Sequence, residues 1–167
     1  MPKSSRLEED VWSPPRPVVP GLAVFSIRPL GSPIPTRIAV MGDNAGINLS
    51  LASVPGFLRA CLGMQRDLKG PAQPEKELRF KCFLTEEGMI YDQIAFAIDL
   101  VYSPETEMIS VWAGGAVMFA LEPWELPALT GSVSALTDEM VDLTRDDHRR
   151  GIDFAVDAWP GRSWQLE

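Results

Sequence analysis

The sequence predicts an α+β domain in which an antiparallel sheet of about six strands is covered by two helices. The main observation is the segment 78–121, where apolar residues alternate with polar or small ones and turn sequences separate the runs. Two other segments, about 54–69 and about 132–150, repeat apolar residues every three or four positions, as amphipathic helices do. Because the strands are grouped together and do not alternate with helices, an antiparallel meander is expected at the centre of the fold.

The length and composition indicate one folded domain. A chain of 167 residues is expected to bury about 70% of the surface that its unfolded form exposes. Its 46% apolar and 23% charged residues are typical of globular proteins. We divide it into a flexible, Pro-rich N-terminal arm over residues 1–20, a single domain over 21–159 and a C-terminal tail over 160–167.

The first half of the domain is predicted to hold strands followed by one helix. Two strands are expected over 22–28 and 36–41, and their connector contains three prolines. A turn centred on Asp43-Asn44 then leads into a third strand and completes a hairpin. Ser53 stands at the position of an N-cap and Pro55 in the first turn, so the first helix is expected to begin there.

The second half is predicted to contain the meander, a helix and a last strand. Gly114-Gly115 is interpreted as a two-residue hairpin turn, in preference to a kink in one long strand. Pro127 and Gly131 predict an interrupted helix, so a short helical turn is expected before the second helix begins at about residue 132. Alternation over 152–156 predicts a final strand. The apolar stripe of this helical region comprises Leu126, Leu129, Val133, Leu136, Met140 and Leu143.

The charge balance limits the classes of partner. The chain has 15 Lys and Arg against 23 Asp and Glu, a net charge of −8. Such a charge repels phosphate backbones and anionic lipid headgroups, so neither nucleic acid nor a membrane is an expected partner. A basic surface on another protein is the more natural counterpart. Since no signal peptide or long apolar segment is evident, and the two cysteines are consistent with free thiols, we expect a cytoplasmic protein.

No set of residues points to catalysis, a metal or a cofactor. His148 is the only histidine, and the residue one helical turn before it is Thr144, which is not a metal-binding carboxylate. Cys61 and Cys82 lie in apolar patterns that predict buried, unactivated thiols. We therefore favour a protein that is not an enzyme, and expect no cofactor and no metal.

Acidic and tryptophan side chains are the candidates for partner binding. Asp138, Asp142 and Asp146 are spaced four residues apart and would form one row on a helix. This row is either an ordinary solvated face or a contact for a cationic partner. The five tryptophans either fix the chain ends to the domain or form an interface. The predicted partner-binding residues are Trp124, Asp138, Asp142, Asp146 and Trp159.

Three functional hypotheses follow from these residues. The leading one is a non-enzymatic, acidic protein-binding module of the inhibitor, immunity or adaptor type found in bacteria and phages, which engages a basic surface on a partner protein. The second is a small-ligand carrier or enzyme with a pocket between sheet and helices, lined by Tyr91, Tyr102 and Trp112. The third is a structural or assembly subunit whose arm 1–20 lies on a neighbour. The oligomeric state is left open.

Overall fold

The computed structural model describes residues 10–32, 35–69, 75–83 and 97–146, with side chains up to residue 143. Within these ranges it contains two antiparallel sheets and two α-helices, which confirms the predicted α+β class. The strands are β1 Asp10–Trp12, β2 Arg16–Val19, β3 Leu22–Pro29, β4 Arg37–Met41, β5 Gly46–Ser50, β6 Leu78–Phe83, β7 Ala97–Ser103, β8 Met108–Ala113 and β9 Ala116–Leu121. The helices are α1 Val54–Leu68 and α2 Leu126–Asp146.

The first sheet is built around β3. Its strand order is β1-β3-β4-β5, and β2 also pairs with β3. Alternation along β3 sends Val24 into the main core and Phe25 to the opposite face, where a smaller apolar cluster forms. The β4–β5 hairpin pairs Met41 with Gly46, which confirms the turn predicted at Asp43-Asn44.

The N-terminal segment differs from the prediction. Residues 1–20 were expected to be a flexible arm, but β1 and β2 both pair with β3, joining for example Val11 to Arg28 and Arg16 to Val24. Proline favours an extended backbone, which is compatible with an edge strand. Pro17 has no backbone N–H, and an edge strand tolerates this loss because not all of its N–H groups bond to a neighbouring strand. Residues 1–9 lie outside the described ranges.

The second sheet is the predicted meander. Its strands follow the chain order β6-β7-β8-β9. Gly114 and Gly115 have φ angles of 63° and 82° and form the β8–β9 turn, which confirms the hairpin interpretation. The strands are divided between two sheets, whereas one sheet of about six strands was predicted. Alternation identifies a strand but does not say which strands pair with it.

The two helices agree unequally with their predicted limits. α1 matches the predicted 54–69 closely. α2 begins at Leu126 and not at about 132, and it continues through Pro127 and Gly131. Pro127 lies in the first turn, where its missing N–H would have no acceptor within the helix, so it does not interrupt the backbone. Of the predicted apolar stripe, every member is buried except Leu143, which is exposed.

One core joins the sheets and helices. α1 packs on β6 and β7, α2 packs on β2, β3 and β4, the helices touch each other, and β5 touches β9. α1 approaches β6 so closely that a Cβ added to Gly63 would lie 2.7 Å from the Phe80 Cε1 atom. Each helix therefore covers its own sheet. Neither helix of the described chain has both the length and the apolar character needed to cross a membrane.

The C-terminal predictions concern residues that are not described. These are the end of the second helix over 147–150, the strand at 152–156, and the tail 160–167. His148 and Trp159 belong to the same part of the chain.

Candidate functional site

An acidic pocket lies at the end of the second sheet where the β7–β8 turn, the end of α1 and the start of α2 come together. Its volume is about 400 Å³. It is lined by Leu68, Tyr102, Thr106, Glu107, Glu122, Pro123 and Trp124. We refer to it as the Trp124 pocket. Two glutamates and two aromatic residues line it, and its lining contains no Lys or Arg.

Trp124 is the most exposed tryptophan of the described chain, with 68% of its surface accessible. It lies in the 3₁₀ turn Pro123–Glu125 that links β9 to α2. The backbone N–H of Glu122 donates to the Glu125 Oε1 atom at 2.8 Å, and the N–H of Glu125 donates to the Glu122 carbonyl at 2.8 Å. These bonds hold the turn, so the large apolar ring is presented on a fixed backbone.

Glu107 occupies the β7–β8 turn in an uncommon conformation. Its φ is 59°, in the left-handed region, and it is the one residue other than glycine that has a positive φ in the described ranges. Its N–H donates to the Ser103 carbonyl at 2.7 Å, and the Met108 N–H donates to Thr106 Oγ1 at 3.3 Å. The left-handed backbone conformation costs a residue other than glycine about 1–2 kcal/mol of conformational free energy. The hydrogen bonds of the closed turn offset this cost.

The chemistry of the Trp124 pocket suits a cation. An aromatic face attracts an ammonium or guanidinium group, and carboxylates add charge-assisted hydrogen bonds. Leu68 and Pro123 offer apolar surface for the methylene stem of a long side chain. No group of three His, Cys, Asp or Glu residues that could hold a metal ion occurs in the described ranges.

The structure separates the predicted partner-binding residues. Trp124 lines the pocket, but Asp142 lies 16 residues along α2 from Leu126, about 24 Å along the helix axis. Asp142 is exposed, whereas Asp138 is only 9% exposed, so the two do not share one solvated row. Asp146 is the last described residue of α2, and its side chain is outside the described set, as is all of Trp159.

Glu139, a carboxylate of α2 that was not among the predicted residues, has a partner within the chain. Its two oxygens accept hydrogen bonds from the Arg16 guanidinium at 2.7 and 2.8 Å. This hydrogen bonding holds the pKa of Glu139 below its ordinary value and raises that of Arg16. The helix surface is therefore partly neutralised from within the chain.

The two cysteines are buried free thiols, as predicted. Burial raises the pKa of Cys82 to about 11, and burial also raises the pKa of Cys61 well above its ordinary value. A nucleophile must ionise readily, so neither thiol is equipped for catalysis.

Two of the residues predicted to line a small-ligand pocket are not brought together by the structure. Tyr102 lies in register with Ile109 and is buried in the main core, whereas Trp112 lies in register with Asp99. Tyr102 and Asp99, the β7 residue that pairs with Trp112, are an odd number of residues apart along β7. Tyr102 and Trp112 are therefore on opposite faces of the second sheet. Tyr91 is outside the described ranges.

Sequence reasoning identified Trp124 but not Glu107 or Glu122. Both glutamates belong to turns, and nothing in the local pattern says that two turns 15 residues apart flank one cavity. The positive φ of Glu107 is likewise invisible in the sequence, because glycine or asparagine would be the usual residue there.

Comparison with known proteins adds no assignment: the sequence matches no protein-family model and no curated protein.

Proposed function

We propose that the protein is a non-enzymatic binding module that holds an Arg or Lys side chain of a partner protein in the Trp124 pocket. The observation that carries this proposal is the exposed Trp124 ring beside Glu107 and Glu122 in one cavity. An inhibitor, immunity or adaptor protein would use this contact to engage a basic surface on its partner.

The surrounding charge supports the same partner. The chain carries a net charge of −8, so a basic protein is attracted over long distances and associates faster at low salt. Tryptophan is enriched among the residues that dominate binding energy, because it contributes a large area at low entropic cost. The pocket supplies the specific contact, and the overall charge supplies the attraction.

A peptide pair tests the chemistry of the pocket. We expect a short arginine-glycine peptide to bind with an affinity that falls as salt is raised, because the contact is between opposite charges. The matched peptide with citrulline in place of arginine keeps the shape and loses the charge. It should bind at least about tenfold more weakly in titration calorimetry. Equal binding of the two peptides would contradict the proposal.

Three variants test the location of the contact. Trp124→Ala should weaken the arginine peptide at least about tenfold, and Glu107→Gln should also weaken it. Asp142→Asn removes the same charge from a distant exposed position and serves as the control. If Asp142→Asn has the larger effect, the contact is on the helix row and not in the Trp124 pocket.

Glu107→Gly separates binding from folding. It removes the carboxylate and also relieves the left-handed backbone, so it should raise the free energy of unfolding by up to about 1 kcal/mol. Glu107→Gln keeps that backbone cost. Both variants should lose affinity for the arginine peptide, while only the glycine variant gains stability.

A further inference from the structure

The outer face of the second sheet carries a second charged cavity, on the side of the sheet away from the main core. Lys81, Asp99 and Trp112 are cross-strand neighbours in one row of β6, β7 and β8. Arg79 lies two residues before Lys81 on the same face. The cavity next to this row has a volume of about 360 Å³. It is lined by Arg79, Ala97, Asp99, Trp112, Ala113, Gly114 and Gly115, and we call it the Trp112 pocket.

Asp99 has hydrogen-bonding capacity that the described residues do not use. Its side chain is only 19% exposed, and its Oδ1 atom is shielded from solvent and accepts no hydrogen bond from the described residues. The nearest cations are Lys81 Nζ, 3.7 Å from Oδ1, and Arg79 Nη1, 3.8 Å from Oδ2. Both distances exceed that of a good hydrogen bond. Because Oδ1 is shielded, a ligand in the pocket would approach this carboxylate at Oδ2, the oxygen next to Arg79.

Arg79 also has unused donors. Its guanidinium has five N–H groups, yet among the described residues it makes one marginal hydrogen bond, to Glu77 Oε1 at 3.5 Å. It is 52% exposed and lines the pocket. A guanidinium in this condition can still bind a carboxylate through two parallel hydrogen bonds.

Trp112 forms a fixed apolar wall beside these charges. Its Nε1–H donates to Ser110 Oγ at 2.9 Å, and the Ser110 hydroxyl donates to the Val101 carbonyl at 3.4 Å. The small residues Ala97 and Gly114 border the same space, so room remains next to the indole. The pocket is therefore apolar along one side and carries opposite charges on another.

We propose that the Trp112 pocket binds a small zwitterion of the α-amino-acid type with an apolar side chain. The ligand carboxylate would bind Arg79, its ammonium group would bind Asp99, and its side chain would lie along Trp112. The ammonium nitrogen and the carboxylate carbon of an α-amino acid are about 2.5 Å apart, which suits two protein charges whose nearest atoms are 3.8 Å apart.

The pairing of charges favours a zwitterion over an ion. An anion drawn to Arg79 would approach the Asp99 carboxylate, and a cation drawn to Asp99 would approach both Arg79 and Lys81. A ligand with both charges places an attraction beside each of these repulsions, which a single ion cannot do. The volume of about 360 Å³ lies at the small end of known ligand pockets, which fits one amino acid.

This site is independent of the proposed function. The Trp112 pocket adjoins the Gly114-Gly115 turn, and the Trp124 pocket adjoins the β7–β8 turn at the other end of β8. The six residues of Met108–Ala113 separate the two ends by about 17 Å. Titration of one pocket can therefore be distinguished from titration of the other by residue-specific signals.

The test is an NMR titration of the full chain with L-leucine, followed at the Trp112 indole and the Gly114 and Gly115 amides. We expect saturable shifts at these groups and none at Trp124. Two analogues serve as chemical controls on the unaltered protein: 3-methylbutylamine lacks the carboxylate and 4-methylpentanoate lacks the ammonium group. Each should bind at least about tenfold more weakly than leucine.

Variants then assign the two charges. Arg79→Gln and Asp99→Asn should each weaken leucine binding at least about tenfold, and Arg37→Gln, on the other sheet, should leave it unchanged. The proposal is overturned if leucine causes no saturable shift up to about 10 mM, or if either single-charge analogue binds as well as leucine. Unchanged affinity in Arg79→Gln or Asp99→Asn would overturn it equally. The analogue experiment needs no substitution, so it decides the matter even if Asp99→Asn fails to fold.

Discussion

Arg16 and Glu139 are 123 residues apart in the sequence and form a bidentate ion pair, with N–O distances of 2.7 and 2.8 Å. Arg16 belongs to β2, and Glu139 lies on α2, so the pair connects the N-terminal segment to the second helix. Both side chains are about half exposed. Solvent screening therefore limits the contribution of the pair, although its two parallel bonds place it above an ordinary surface contact.

The first prediction concerns the pH dependence of this pair. Glu139→Gln should lower the free energy of unfolding by about 0.2–1 kcal/mol at neutral pH and low salt. The folded pKa of Glu139 lies below its ordinary value of 4.5, so the contribution is complete above that pH and is lost as pH falls through the folded pKa. Urea denaturation of both proteins at pH 7 and pH 3 should show a smaller difference at the lower pH. A difference that grows in acid would contradict the assignment.

The second prediction compares two helical glycines. A Cβ at Gly63 would lie 2.7 Å from the Phe80 ring, whereas a Cβ at Gly131 would have no atom within 4 Å. Alanine improves helix propensity equally at both sites. Gly131→Ala should therefore stabilise the protein by about 0.5–1 kcal/mol, and Gly63→Ala should destabilise it by about 1 kcal/mol or more. Chemical denaturation measures both changes, and combining Gly63→Ala with Phe80→Leu should recover part of the loss. Equal stabilisation by the two alanines would show that α1 and β6 are not so close.

The third prediction compares two exposed tryptophans. Trp12 is 56% exposed, but its ring stacks on Phe25 with centroids 5.0 Å apart and an interplanar angle of 23°. Trp12→Ala should cost about 1–2 kcal/mol and weaken the attachment of β1. Trp124→Ala should change the free energy of unfolding by no more than about 0.5 kcal/mol, because the Trp124 ring is largely exposed to solvent. Denaturation monitored by circular dichroism measures both changes in stability. A larger loss of stability in Trp124→Ala than in Trp12→Ala would contradict these roles.

The fourth prediction concerns the reactivity of the thiols. With a pKa of about 11, Cys82 is ionised in about one molecule in a thousand at pH 8. Native protein should therefore react with iodoacetamide at least about a hundredfold more slowly than protein unfolded in urea. Comparable rates in the two states would contradict the burial of Cys61 and Cys82.

The same raised pKa affects stability in alkali. The unfolded thiol of Cys82 ionises near its ordinary value of 9.0, before the folded one, so stability is complete below pH 9 and decreases as pH rises through about 11. The Cys82→Ser variant should not show this part of the loss of stability at high pH. If the free energy of unfolding of Cys82→Ser and of the wild type depended on alkaline pH in the same way, Cys82 would not be the cause of the decrease.

The parts of the fold that depend on near neighbours could be predicted from the sequence. Pro55 and the apolar spacing placed α1, and Gly114-Gly115 placed the β8–β9 turn, because each signal acts over a few residues. Ser53 stands at the predicted N-cap position, but its side chain makes no capping hydrogen bond to the helix. Pro127 was misleading since the effect of a proline depends on its position within a helix: it interrupts the interior but is accepted in the first turn.

Features that join distant segments could not be predicted in this way. The pairing of β1 and β2 with β3, and the division of the strands into two sheets, have no local signal. The candidate site shows the same limit. Trp124 was recognisable as a contact residue, but its grouping with Glu107 depends on how two turns meet, and the burial of Asp138 depends on how α2 packs.

The separation of 123 residues between Arg16 and Glu139 also matters while the protein is being made. A ribosome that adds 5–20 residues per second produces Glu139 about 6–25 s after Arg16. During that interval Arg16 and the rest of β2 have been made without the helix that later packs on them. Any chaperone that binds the nascent chain at this segment therefore has a defined period in which to act, and that period closes when α2 docks.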